Sequence, residues 1–166
     1  MNPSRIPSAL LFSMASLTLL ASPGTGSQTV EGEGGGTLQV GSAAFKFRFE
    51  SINLAPAQPN LKLPRTFVLR GKLEPESGPA LTFELTAMED GRIYGLRILR
   101  KRPKPATDDY WGATLKTKVE VLELDARPGG KLRLSLSGPL TSVEENKMGP
   151  SSWKGALWAT FREVPF

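Results

Sequence analysis

From residue 37 onward, apolar and polar positions alternate. Phe45, Phe47 and Phe49 are interleaved with Lys46 and Arg48, Phe67, Leu69 and Leu73 with Val68, Arg70 and Lys72, and Leu81, Phe83 and Leu85 with Thr82, Glu84 and Thr86. Leu132, Leu134 and Leu136 repeat the theme, as do Trp153, Leu157 and Phe161. Successive side chains of a strand point to opposite faces, so a period of two predicts half-buried antiparallel strands. No window of helical length carries a 3.6-residue period. Strands are predicted near 37–40, 43–54, 65–74, 80–88, 92–100, 113–125, 131–137 and 153–162. Short strands with turn signals at this spacing predict an all-β domain, an antiparallel β-sandwich or partly closed barrel of about eight strands.

Two turns set registers. Asp90-Gly91 is a strong hairpin signal. As a two-residue turn it pairs Ala87 with Tyr94, Leu85 with Leu96 and Phe83 with Ile98, and sets Glu84 against Arg97 on the other face. Pairing Asp125 with Lys131 across 127–130 puts Leu124 beside Leu132, Leu122 beside Leu134 and Glu123 opposite Arg133. Matched leucines and opposite charges favour that register over a one-residue slip. Within 113–125 the apolar phase switches from Leu115, Val119 and Val121 to Leu122 and Leu124, which predicts a bulge or a bend between sheets.

The N-terminus reads differently. After Arg5 the chain is uncharged and largely apolar from Ala9 to Ala21, then turns to Ser22-Pro-Gly-Thr-Gly-Ser27. That run is shorter than the roughly 20 residues a membrane span needs. It reads as a signal peptide, residues 1–26, with cleavage after Ala21, Gly26 or Ser27. Residues 27–36, ending in Glu33-Gly-Gly-Gly36, read as a flexible Gly-rich lead. Residues 37–166 then form a single all-β domain, with no transmembrane helix after signal cleavage.

Composition narrows the chemistry. The chain has 166 residues, no Cys and no His. Triads built on imidazole or thiolate, zinc knots, disulfides and a lipid anchor on a cysteine are therefore excluded. Export without Cys, and without an Asn-x-Ser/Thr acceptor, points to a secreted or periplasmic protein of the bacterial envelope. The net charge of +5 is local. Past the leader, 20 basic residues stand against 16 acidic ones, and removing Arg97, Arg100, Lys101, Arg102 and Lys104 leaves 15 against 16.

Candidate sites fall in or beside two predicted long loops, 101–112 and 138–152, because long loops in a compact domain are often functional. Arg100, Lys101, Arg102 and Lys104 are candidates for contact with a polyanion. Their plainer reading is a charged, Pro-bearing guard on a strand edge. Tyr110, Trp111 and Trp158 can stack on sugar rings or anchor an interface, and Trp158 is out of phase with its strand's buried face. Asp108, Asp109, Glu144 and Glu145 are weak candidates for Ca²⁺, or for a general acid and base in a hydrolase. The expectation is an exported non-enzymatic binding module with no cofactor, whose partner is an envelope polymer, such as a polyanion, or a protein. The alternatives are a hydrolase of an envelope polymer, a small outer-membrane β-barrel and a carrier of apolar ligands.

Overall fold

A computed structural model describes residues 28–125, 127–144 and 147–163. The leader read at 1–26, Ser27 and Glu145 lie outside these residues. The strands are β1 (Gln28–Val40), β2 (Ala43–Ala55), β3 (Thr66–Pro75), β4 (Leu81–Met88), β5 (Ile93–Arg100), β6 (Asp109–Ala113), β7 (Lys118–Leu124), β8 (Lys131–Glu144) and β9 (Lys147–Glu163). All pairings are antiparallel, in the order β6-β5-β4-β3-β2-β1-β9-β8, and β6 pairs with β8 to close an eight-stranded barrel. β7 is an extra strand on β8. Among the described residues no helix is long and apolar enough to cross a membrane.

The alternation carries the closure. Inward positions supply a continuous core that includes Phe45, Phe47, Phe67, Phe83, Leu134, Trp153 and Phe161. A fully buried side chain of this size contributes about 1.5–3 kcal/mol. Aromatic rings fill much of the axis: Phe47 meets Phe83 edge-on at 5.5 Å, Phe45 stacks on Trp153 at 5.5 Å, and Trp111 meets Trp153 at 6.0 Å between centroids. The outer wall carries charge. Arg48 bonds Glu74 at 2.8 Å, and Glu84 holds Arg70 at 2.7 Å and Arg97 at 3.6 Å, the last being the contact expected from the Asp90-Gly91 register.

That hairpin differs in one detail. The Met88 N–H donates to the Arg92 carbonyl, so the loop has three residues rather than two. Ala87 therefore pairs with Ile93, Tyr94 is squeezed out as a bulge, and Leu85 with Leu96 and Phe83 with Ile98 recover the expected register. The second hairpin behaves alike. Leu124 faces Leu132 and Glu123 faces Arg133 as expected, but Leu134 pairs with Val121 because Leu122 is the bulged residue. The phase switch in 113–125 marks that bulge.

Three segments depart from the sequence reading. Residues 28–36 are not a free lead but the first part of β1, with Gly32 to Gly36 paired to β9. Glycine has no hydropathy to alternate, yet its lack of a Cβ lets the strands approach: one on Gly36, whose φ is +134°, would sit 2.2 Å from the Ala156 carbonyl oxygen. The predicted loop 138–152 is the far half of β8 and the start of β9. Of the predicted strand 113–125, residues 118–124 form β7 and 114–117 a turn, while the end of the predicted loop 101–112 is strand: β6 runs through 109–113. The break follows from Gly138-Pro139 in mid-β8: Pro139 has no N–H to offer, and the Thr114 and Thr117 hydroxyls bond its carbonyl at 3.0 and 2.7 Å. The turn 114–117 closes there with a Thr117 N–H to Thr114 carbonyl bond of 3.1 Å.

Candidate functional site

The basic stretch sits where β5 ends and crosses to β6. Asp109, the first residue of β6, is fully buried and pairs in register with Arg100. Its carboxylate accepts from the Arg102 guanidinium at both oxygens, at 2.9 and 2.8 Å, and from Arg100 at 3.3 Å. The two parallel bonds from Arg102 fix geometry as well as charge. Asp108 accepts from Lys101 at 2.6 Å and from the Arg102 backbone N–H at 3.0 Å. These bonds, Lys101 first, hold its carboxyl below the usual range, and Lys104 adds a smaller attraction. Arg97 is held by Glu84. The run that reads as an open basic patch is thus largely a set of internal ion pairs, with Lys104 on its exposed rim.

The aromatics divide by strand phase. Tyr110 faces outward, whereas Trp111, expected as a contact residue, is buried. β6 turns Asp109 and Trp111 to the inside, where the Arg100 guanidinium lies 5.4 Å from the Trp111 ring centroid and the indole N–H donates to Glu144 at 3.0 Å. Arg100, Arg102, Asp109, Trp111 and Glu144 therefore form one connected lock between β5, β6 and β8. A Ca²⁺ site needs carboxylate oxygens turned toward one ion. Here Asp108 and Asp109 are turned toward cations and Glu144 toward an indole, and no group of three or more carboxylates gathers among the described residues.

Trp158 lies on the lower outer wall and is 46% exposed, in keeping with its phase. Its row crosses four strands: Gly35 of β1, Trp158 of β9, Arg133 of β8 and Glu123 of β7 are cross-strand partners in turn. Such partners have Cβ atoms about 5 Å apart. Gly35 lets the indole lie along β1, since a Cβ there would be 3.4 Å from the six-membered ring. On the other side is a hollow of about 330 Å³ lined by Glu123, Lys131, Arg133, Trp158 and Thr160. Arg48, Arg70, Arg92, Arg100, Arg102 and Arg127 each have a carboxylate at 2.7–3.3 Å. Arg133 has no ion-pair partner among the described residues. An aromatic plane beside an unspent guanidinium can take a ring on one and an anion on the other.

Two candidate aromatics border outward-facing hollows, Tyr110 and Trp158, and of these Trp158 has a guanidinium in its own hollow without an ion-pair partner among the described residues. Arg133, Lys131 and Gly35 complete its surroundings without having been singled out from the sequence. Only the β1–β9 and β8–β9 registers bring them together, and β1 was hidden by its glycines. Arg133 was visible as the partner of Glu123, which made it look satisfied. No protein-family model, curated protein or solved structure matches this chain.

Proposed function

We propose that the protein is an exported, non-enzymatic binding module of the bacterial envelope that takes an acidic polysaccharide on the Trp158 face. The observation that carries this reading is Arg133, without an ion pair among the described residues, beside the half-exposed indole in a hollow of the outer wall. A sugar ring stacks on the indole while its carboxylate meets Arg133, with Lys131 as a second cation. Stretch 97–104 is a poorer polyanion site because Arg97, Arg100, Lys101 and Arg102 already hold carboxylates. A hydrolase would need the same carboxylates free. A lipid-facing barrel needs an apolar outer band, where this wall carries Arg48, Arg70, Glu74 and Glu84. A carrier needs room inside, where the aromatic rings pack.

Calorimetric titration with polygalacturonate, a soluble uronic-acid polymer, tests the proposal, with neutral dextran as control. Trp158→Ala and Arg133→Ala should each weaken binding at least tenfold, about 1.4 kcal/mol. Lys101→Ser should leave it unchanged, and added salt should weaken it. Binding that survives both wall substitutions and falls with Lys101→Ser overturns the reading.

A further inference from the structure

The barrel wall has a gap. β6 pairs with β5 only over residues 97–100, and the chain then leaves the wall in the turn 114–117. Below the gap the wall closes again at the β4–β5 hairpin, where a Cβ on Gly91 would be 2.4 Å from the Val119 carbonyl oxygen. Between these points residues 93–96 pair with β4 on one side, through Ile93, Gly95 and Leu96, and have no ladder on the other among the described residues. In place of a neighbour there is a hollow of about 720 Å³, lined by Ile93, Tyr94, Gly95, Tyr110, Leu115 and Thr117. Tyr94 is 64% exposed and Leu115 fully so.

We propose that this gap is a strand-addition site for a short, extended, acidic peptide segment of a partner protein, distinct from the Trp158 face. The free backbone edge asks for an extended chain, because only that conformation presents N–H and C=O groups in ladder order. Its length, four residues or about 13 Å at ~3.3 Å per residue, limits the occupant to a short stretch. Ile93, Tyr94, Gly95 and Leu96 include neither charge nor proline, so of the features that usually blunt an edge this one carries only the Tyr94 bulge. The exposed Tyr94, Tyr110 and Leu115 offer apolar contacts for the occupant's side chains. Charge selects its sign. The hollow is lined by no acid, Arg92 is held by Asp90, and the exposed Lys116 and Lys118, which flank the lining residue Thr117 in the chain, have no ion pair among the described residues, with Glu120 beyond Lys118 on β7.

The test is an amide NMR titration with a synthetic hexapeptide, acetyl-Asp-Thr-Val-Thr-Val-Asp-amide. Shifts should gather at 93–96 and 113–117. N-methylation of alternate peptide amides should weaken binding at least tenfold, and replacing both Asp by Lys, or Lys116→Glu with Lys118→Glu, at least threefold. Leu115→Ala removes only an exposed side chain, so it should keep the native spectrum and weaken binding too. The proposal is overturned if no shift occurs in this region or if the N-methylated peptide binds as well. It is equally overturned if the same shifts arise from raising protein concentration alone, since a second copy then fills the edge.

Discussion

Replacing Asp109 by Ala should be among the most damaging single changes on this barrel, although Asp109 touches no candidate ligand. The substitution removes the carboxylate that neutralises Arg100 and Arg102 and leaves the Arg100 guanidinium over buried Trp111 without it. Breaking a fully buried ion pair costs about 3–5 kcal/mol. The Arg side chains keep 32% and 27% of their surface, so water recovers part of that, and about 2–3 kcal/mol remains. At about 2–4 °C per kcal/mol for a chain of this size, the melting temperature should fall by about 5–10 °C. The loss should appear in near-ultraviolet circular dichroism, because Trp111 sits on the same short strand. Lys101→Ala supplies the comparison: that salt bridge is 77% exposed on the lysine side and should cost less than about 0.5 kcal/mol. Asp109→Ala with Arg102→Ala should cost less than the sum of the two. If Asp109→Ala melts within about 1 °C of Lys101→Ala, the ion pairs do not hold the barrel's closing strand and the reasoning fails.

Other outcomes follow from the same geometry. Trp158→Ala should keep the native circular dichroism and lose less than about 1 kcal/mol by urea titration, since half of the side chain is already in water. Gly36→Ala should cost more than about 2 kcal/mol in the same titration, because φ is +134° and the new methyl meets the Ala156 carbonyl. In acid, Asp125 is held at about 2 by its bonds to Arg127, below the unfolded value near 3.9. Its contribution is present above about pH 4 and lost as pH falls toward 2, so Asp125→Asn should flatten that part of the acid-unfolding curve. Glu144→Gln keeps an acceptor for the Trp111 indole, and polygalacturonate binding measured by calorimetry should match that of the parent.

Much of the wall was legible because alternation and turn chemistry are local. Phe83 with Ile98, Glu84 with Arg97 and Leu124 with Leu132 follow from hairpins whose two strands lie side by side in the chain. Where the reading slipped, a bulge had entered: Tyr94 and Leu122 were placed inside by strict alternation and are expelled by one extra residue each. The glycine stretch of β1 was illegible for a different reason, since its partner β9 lies more than a hundred residues away and Gly32 and Gly34 to Gly36 have no side chains whose polarity could alternate. Gly138-Pro139 misled in the opposite sense. A proline normally argues against a mid-sheet strand, but here it falls where β8 exchanges one partner for another. For the candidate site, Trp158 was visible from its phase, while the significance of Arg133 depended on knowing that no carboxylate among the described residues holds it.

The central claim concerns which indole meets the ligand, and the three tryptophans separate it. Trp111 donates to Glu144 and Trp153 to Ser151, both from buried positions, whereas the Trp158 N–H has no hydrogen bond among the described residues. Three indole N–H signals should therefore appear in a proton–nitrogen correlation spectrum, with Trp158→Phe identifying one. On titration with polygalacturonate, the account predicts that the Trp158 signal moves while the Trp111 and Trp153 signals stay. Movement of the Trp111 signal with Trp158 unmoved would place the ligand at the basic stretch and contradict it.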